Sequence, residues 1–278
     1  MIIDFHTHIF PDGVLEERGR YLADRGFCLL YSSSKSRMTG CAGLMDYIRN
    51  NDLRGAAAMS FPWERADLCR RHNEYMYSSL ASSEGRVFPF GMVPRGDTAS
   101  VRSIAGEIKS AGLCGIGEIA FYDTGLDAGG ERFLREVFEA AADLSLPVCL
   151  HLNEPVGHHY QGKYEPSLSA VYPLLAEYSS CRVILSHWGG GMIFYELMPE
   201  VREALVNVWY DTAASPFIYG SAVYRAALGM VNPGKILFGS DYPLLGIKRY
   251  SSVIEAEAGE SASLILGLNA KNFLAIKD

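Results

Sequence analysis

The sequence is short of several things, and each absence excludes a class of protein. Its six cysteines (Cys28, Cys41, Cys69, Cys114, Cys149 and Cys181) form no C-x-x-C pair. That pattern argues against a disulfide framework and predicts reduced, mostly buried thiols. Positive charge is scarce: 25 Lys and Arg against 32 Asp and Glu leave a formal net charge of −7. A nucleic-acid partner would want a basic stripe, so none is expected. No apolar run approaches the roughly 18 residues of a membrane span. The start of the chain has neither the basic nor the apolar region of a signal peptide, because Asp4 follows almost at once. These absences predict a cytoplasmic protein with no membrane partner. No G-x-G-x-x-G follows the first apolar stretch, and Gly189-Gly190-Gly191 lacks the Lys-Ser/Thr of a phosphate loop. Both weigh against a doubly wound dinucleotide-binding sheet, the alternative architecture.

What is present is an ordinary globular composition, 49% hydrophobic and 21% charged over 278 residues. No linker or composition break divides it, so one domain over 1–278 is expected. About eight short apolar stretches alternate with helical patterns: 2–10, 55–62, 87–93, 113–121, 147–153, 182–187, 208–212 and 235–243. The helical patterns fall at about 44–51, 64–83, 97–110, 131–144, 167–178 and 250–276. Apolar strands alternating with helices indicate a parallel sheet covered on both faces. About eight such units in about 250 residues match an α/β fold of the (β/α)8 TIM-barrel type. The stretch 11–40, rich in Ser and Gly, reads as a long irregular insertion after strand 1. It is either a surface loop or a lid.

The first strand carries Asp4, His6 and His8. Side chains alternate faces along a strand, so these three are expected to share one face, opposite Ile3, Phe5 and Thr7. Two imidazoles two residues apart can reach one ion. Further polar residues stand at the ends of later strands: Glu118 on strand 4, His151 on strand 5, His187 on strand 6 and Asp241 on strand 8. In a barrel these ends open on one face, where barrel active sites form. Four of the seven histidines fall at these positions. Each residue alone has a plainer reading: a turn before Pro243 for Asp241, an ion pair for Glu118, a core hydrogen bond for His187. Together, four His and two carboxylates are enough for one or two divalent ions, Zn²⁺ being the expectation.

These motifs carry a resemblance. Asp4-Phe5-His6-Thr7-His8, Leu185-Ser186-His187-Trp188-Gly189-Gly190 and Leu237-Phe238-Gly239-Ser240-Asp241-Tyr242-Pro243 are similar to the amidohydrolase superfamily, in its branch of aminocarboxymuconate semialdehyde decarboxylase-like proteins. The resemblance implies a metal site built from His6, His8, Glu118, His151, His187 and Asp241. Decarboxylases of that branch typically hold one metal and lack a carboxylate from strand 4. Gly117-Glu118-Ile119 instead resembles the binuclear hydrolases of the superfamily, where Glu bridges two metals.

The expected function is a metal-dependent hydrolase that activates a bound water against a small ester, amide or lactone. Asp241 moves the proton, and His187 serves as second-metal ligand or oxyanion stabiliser. The alternative is a metal-dependent, non-oxidative decarboxylase using the same ligands. A metal-free lactonase and a non-catalytic ligand-binding barrel complete the range. A small-molecule substrate is the expected partner, and the resemblance allows a homodimer. Candidate substrate-binding residues are His158, His159 and Lys163 in the loop after strand 5, and Trp188, which stacks on a planar substrate or packs against the rim. Cys149 reads as packing deeper in the barrel.

Overall fold

The computed structural model describes residues 1–164 and 168–277. Eight short strands follow in chain order: β1 (Ile3–His8), β2 (Gly55–Met59), β3 (Val87–Pro89), β4 (Ile116–Ile119), β5 (Val148–Leu150), β6 (Val183–Leu185), β7 (Val208–Asp211) and β8 (Ile236–Leu237). β1 to β3 and β4 to β8 pair in parallel with their sequence neighbours. Gly91 bridges to Ile116 and joins the two sets. At the other seam Thr7 bridges to Tyr242. Phe5 N donates to Phe238 O and His8 N to Tyr242 O, both at 2.7 Å, and Asp241 N donates to His6 O at 2.9 Å. The sheet therefore closes into the (β/α)8 barrel that the alternation predicts.

Ile3, Phe5, Ala57, Met59, Phe90, Cys149, Ile184 and Leu237 fill the barrel interior. A larger apolar layer lies between strands and helices. The helices form where apolar spacing meets a start signal. Val101–Ser110 buries Val101, Ile104, Ala105 and Ile108, a stripe of helical period. One turn of 3-10 helix, Thr98–Ser100, precedes it where the sequence predicts the helix start. Ala128–Leu144 begins where the Asp127 carboxylate accepts from Gly130 N at 2.8 Å. Such a cap contributes about 1 kcal/mol. The helix predicted over 167–178 is observed as Leu168–Glu177, and its predicted first residue, Ser167, lies outside the described residues. The C-terminal region is broken into Ser251–Ala258, a wider-turned stretch Leu264–Leu268 and Asn269–Phe273.

Two expectations are corrected. The insertion 11–40 is largely helical, with Asp12–Glu16, a 3-10 turn Arg18–Tyr21 and Arg25–Tyr31. Ser and Gly hide the signal, but Asp24 caps the third helix by accepting from Phe27 N at 3.0 Å. Phe27 and Tyr31, one turn apart, then pack on Phe10, Phe61 and Trp63; the Phe27 and Trp63 rings stack at 5.1 Å. The second correction concerns β1. Its pairing register with β2 slips between Asp4 and Thr7. Asp4 lies opposite Ala56 and Thr7 opposite Ala58, so Phe5 and His6 together oppose Ala57. This bulge breaks the strict alternation. Phe5 joins the barrel interior, His6 also faces in, and Asp4 turns toward the surrounding helices. The Asp4 carboxylate accepts from Tyr47 OH at 2.8 Å, Ser240 N at 2.9 Å and Ser240 Oγ at 2.5 Å. Burial pushes Asp4 up to about 6 against those bonds.

Candidate metal centre

A second register slip lies in β4, between Ile116 and Ile119 opposite Val148 and Leu150. It puts Gly117 and Glu118 opposite Cys149. Gly117 has a φ of +154°, and a Cβ there would sit 2.6 Å from Cys149 Cβ, so only glycine fits beside it. Glu118 consequently points into the barrel and is 2% exposed. Both slips fall at a candidate ligand, His6 in one case and Glu118 in the other.

The six expected residues converge. His6 Nε2 is 3.1 Å from His8 Nε2, and His8 Nε2 is 3.2 Å from Asp241 Oδ1. His187 Nε2 is 3.1 Å from His151 Nδ1, which is 3.2 Å from Glu118 Oε1. Glu118 Oε1 joins the two groups, 3.7 Å from both His6 Nε2 and His187 Nε2. Two trios result, His6, His8 and Asp241 beside Glu118, His151 and His187, each with its ligand atoms mutually within 4.8 Å.

The surroundings set the protons. His6 Nδ1–H donates to Asp211 Oδ2 at 2.7 Å, and His187 Nδ1–H donates to the Ala213 carbonyl at 2.9 Å. In the neutral ring each Nε2 then carries a lone pair aimed at the centre, that of His6 toward His8 Nε2 and Glu118 Oε1 and that of His187 toward His151 Nδ1 and Glu118 Oε1. Outer partners that fix ring tautomers in this way are typical of metal-binding histidines. His151 Nε2 is buried with no hydrogen-bond partner. The donor set, nitrogen and carboxylate with lone pairs converging, fits a divalent ion.

The same crowding moves the pKa values. Burial disfavours the His6 imidazolium, but Asp211 and Glu118 outweigh it and raise His6 well above the usual range. Burial would raise Glu118, yet His6, His151 and His187 hold it well below its usual value. Burial likewise opposes ionisation of Asp241, and the hydrogen bond and charge of His8 bring it down to about 2. Burial lowers His151, with Glu118 opposing in part.

Above the donors lies a cavity of about 480 Å³. His8, Glu118, His151, His187 and Asp241 form its floor, and Tyr31, Phe61, Tyr122, Tyr160 and Phe217 form its walls. The insertion contributes Leu30, Tyr31, Ser36 and Arg37. Gln161 of the loop after β5 hydrogen-bonds the Leu29 carbonyl, so loop and insertion meet over the mouth.

The expected substrate-binding residues are placed differently from one another. His158 lines the cavity. His159 is exposed and outside the lining. Lys163 is spent on its own loop, donating to Val156 O at 2.5 Å and His158 O at 3.3 Å. Trp188 is not at the rim. It is 0% exposed, its Nε1 donates to Ser215 Oγ at 2.8 Å, and its ring meets Tyr224 edge-on at 5.4 Å. The backbone is the cause: His187, Trp188, Gly189 and Gly190 take left-handed φ values of 55°, 59°, 64° and 58°, which turn Trp188 away from His187. At Gly190 a Cβ would lie 2.4 Å from Asn153 O. Cys149 is packing as expected, with burial raising its thiol to about 11.

A family model of the amidohydrolases matches residues 3–264. The chain belongs to the amidohydrolase family. Among curated proteins, this amidohydrolase is 26% identical over 168 residues to 6-methylsalicylic acid decarboxylase of Penicillium expansum, covering 49% of the chain and 51% of that protein. The matched stretch thus spans about half the length of that relative. Many solved structures share its fold, two of them as follows. One is 5-carboxyvanillate decarboxylase of Sphingomonas paucimobilis, at TM-score 0.78 and 15% identity over 99% of both chains. The other is dihydroxybenzoic acid decarboxylase of Polaromonas sp. JS666 with manganese and 2-nitroresorcinol, at TM-score 0.73 and 14% identity over 99% of this chain and 97% of that one.

Asp211 is the residue the sequence reading passes over in this amidohydrolase. It stands at the C-terminal end of β7, the position at which the other candidates were picked out, and the same rule would have found it.

Proposed function

We propose that the chain is a divalent-metal-dependent, non-oxidative decarboxylase of a small aromatic hydroxy acid. This takes the alternative that the sequence sets beside hydrolysis. The observation that carries it is the junction of six nitrogen and oxygen donors with an aromatic-walled cavity. Flat walls suit a planar ring. They also leave a substrate carboxylate poorly solvated, which disfavours the charged acid relative to neutral CO₂. The relatives named for 6-methylsalicylic acid, 5-carboxyvanillate and dihydroxybenzoic acid support the same class.

The ion would be held by His6, His8 and Asp241 on one side and Glu118, His151 and His187 on the other. When bound, it supplies positive charge that anchors a substrate carboxylate or hydroxyl; donors without thiolate suit Mn²⁺ as well as Zn²⁺. Asp241, ionised because of His8, accepts a proton from the substrate hydroxyl. Asp241 then returns that proton to the ring carbon as its bond to the carboxyl breaks and CO₂ leaves. Tyr122, with its OH 3.5 Å from Glu118 Oε2, holds the side of the ring.

The inward Glu118 favours hydrolysis as a second reading, with two ions and an activated water. Elemental analysis and CO₂ detection on hydroxybenzoates separate them. Decarboxylation predicts CO₂ and one ion per chain; two ions, no CO₂ and cleavage of an ester or lactone would overturn it.

A further inference from the structure

Beside the aromatic cavity lies a second depression of about 840 Å³ that shares Ser36, Arg37, Gln161, Phe217, Pro243 and Leu244 with it. Its lining holds four cations, Lys35, Arg37, Lys248 and Arg249, and no Asp or Glu. In a chain with net charge −7 this is a local inversion of sign. Some exposed arginines elsewhere are paired, Arg65 with Asp67 at 2.8 Å, Arg70 with Glu107 at 3.3 Å and Arg225 with Glu257 at 3.3 Å. Arg25, Arg71 and Arg132 are exposed and enter no ion pair among the described residues; what sets the groove apart is four cations in one lining without an acid. Lys35, Arg37, Lys248 and Arg249 enter no ion pair among the described residues. Asp46, on the neighbouring helix Cys41–Asn50, is taken up by Arg49 at 2.7 Å. The cations come from two separate segments, the insertion and the 3-10 turn Ile247–Arg249, that both line the depression.

We propose that this groove is an outer docking site for aromatic carboxylates, which captures the anionic substrate and delivers it past Arg37 to the inner cavity. The inference rests on the proposed substrate class, an aromatic acid. A concave wall of one sign concentrates field lines and raises encounter rates for the opposite sign. The inner cavity carries the buried carboxylates Glu118 and Asp241. An outer cationic groove supplies attraction over a distance at which those groups, largely buried and able to hold a cation among them, contribute little repulsion.

The test is stopped-flow association of salicylate with the metal-loaded protein. Rates are compared between about 20 mM and about 300 mM salt, over which the Debye length shrinks from roughly 20 Å to roughly 6 Å. The native protein is expected to lose about tenfold in association rate across that range. Lys248→Glu/Arg249→Glu, two exposed positions remote from the metal donors, is expected to be about tenfold slower at low salt and nearly insensitive to salt. Its dissociation rate, set in the inner cavity, stays within about twofold of native, which also reports an intact fold. Lys248→Gln/Arg249→Gln is expected to fall between the two. No salicylate association at low salt, or a charge-reversed protein with native rate and salt dependence, overturns the groove. CO₂ release without a salt effect leaves the decarboxylase reading standing and removes the groove. Salt-dependent association without CO₂ release from any hydroxybenzoate does the reverse.

Discussion

Asp211 on β7 binds His6 on β1 through one carboxylate oxygen, with Oδ2 2.7 Å from His6 Nδ1. Its other oxygen accepts from His187 N at 2.9 Å and Ala213 N at 3.0 Å. Ala213 in turn accepts from His187 Nδ1. One buried carboxylate therefore sets the proton of His6 directly and that of His187 through the backbone. Replacing Asp211 with Asn keeps the volume but removes the charge that holds the His6 tautomer. Metal affinity of Asp211→Asn is expected to fall roughly 10- to 100-fold, measured by chelator competition. Unchanged affinity with a native circular dichroism spectrum would sink the assignment.

Much of this arrangement is legible in the sequence because strand order and strand ends carry it. His6, His8, His151, His187 and Asp241 are all found by asking which polar residues stand where apolar runs end. Strict alternation fails at β1, because a bulge is a backbone event that no side-chain pattern announces. The error puts Asp4 on the face of His6 and His8, when it turns away to bind Tyr47 and Ser240. The same kind of slip in β4 settles the direction of Glu118, which alternation alone leaves open. Trp188 fails for a related reason: five successive left-handed residues, His187 to Gly191, are not foreseeable where two of them are His and Trp.

Glu118 belongs to one trio, with His151 at 3.2 Å and His187 at 3.7 Å, and reaches His6 at 3.7 Å and His8 at 3.8 Å of the other. Glu118→Gln preserves shape and a hydrogen-bond acceptor while deleting the negative charge. Metal affinity and kcat/KM are each expected to drop at least about tenfold, in a protein that still folds. Native affinity and turnover in the variant would reduce Glu118 to a packing residue.

Trp188 is buried beside the site without facing it. Trp188→Phe keeps an aromatic ring against Tyr224 and leaves Ser215 Oγ without its donor. Stability is expected to fall by about 1–3 kcal/mol in urea titration, from the lost bond and the lost volume, with KM unchanged. A variant with native stability and a raised KM would return Trp188 to the substrate.

His72 gives the chain a specific weakness to acid. It is 1% exposed, its Nδ1 accepts from Trp63 Nε1 at 3.0 Å, and its Nε2–H donates to the Ile9 carbonyl at 2.9 Å. Because the Trp N–H can only donate, the ring must be neutral; a proton on Nδ1 would set two N–H groups against each other. Burial accordingly lowers its pKa from 6.5 to about 4, with the Ile9 bond opposing. The sign follows from linkage. Above about pH 6.5 both folded and unfolded chains hold this group neutral, and it makes no pH-dependent contribution. Between about 6.5 and about 4 the unfolded chain takes up a proton that the folded chain refuses, so stability falls as the pH falls, by about 3 kcal/mol at most. His72→Gln removes the titrating group and can still accept from Trp63. It is expected to be less stable than native at about pH 7 and to show a shallower loss between about pH 6.5 and about pH 4.5. Urea unfolding of both proteins at several pH values measures the two slopes, and parallel slopes would exclude His72 as the source.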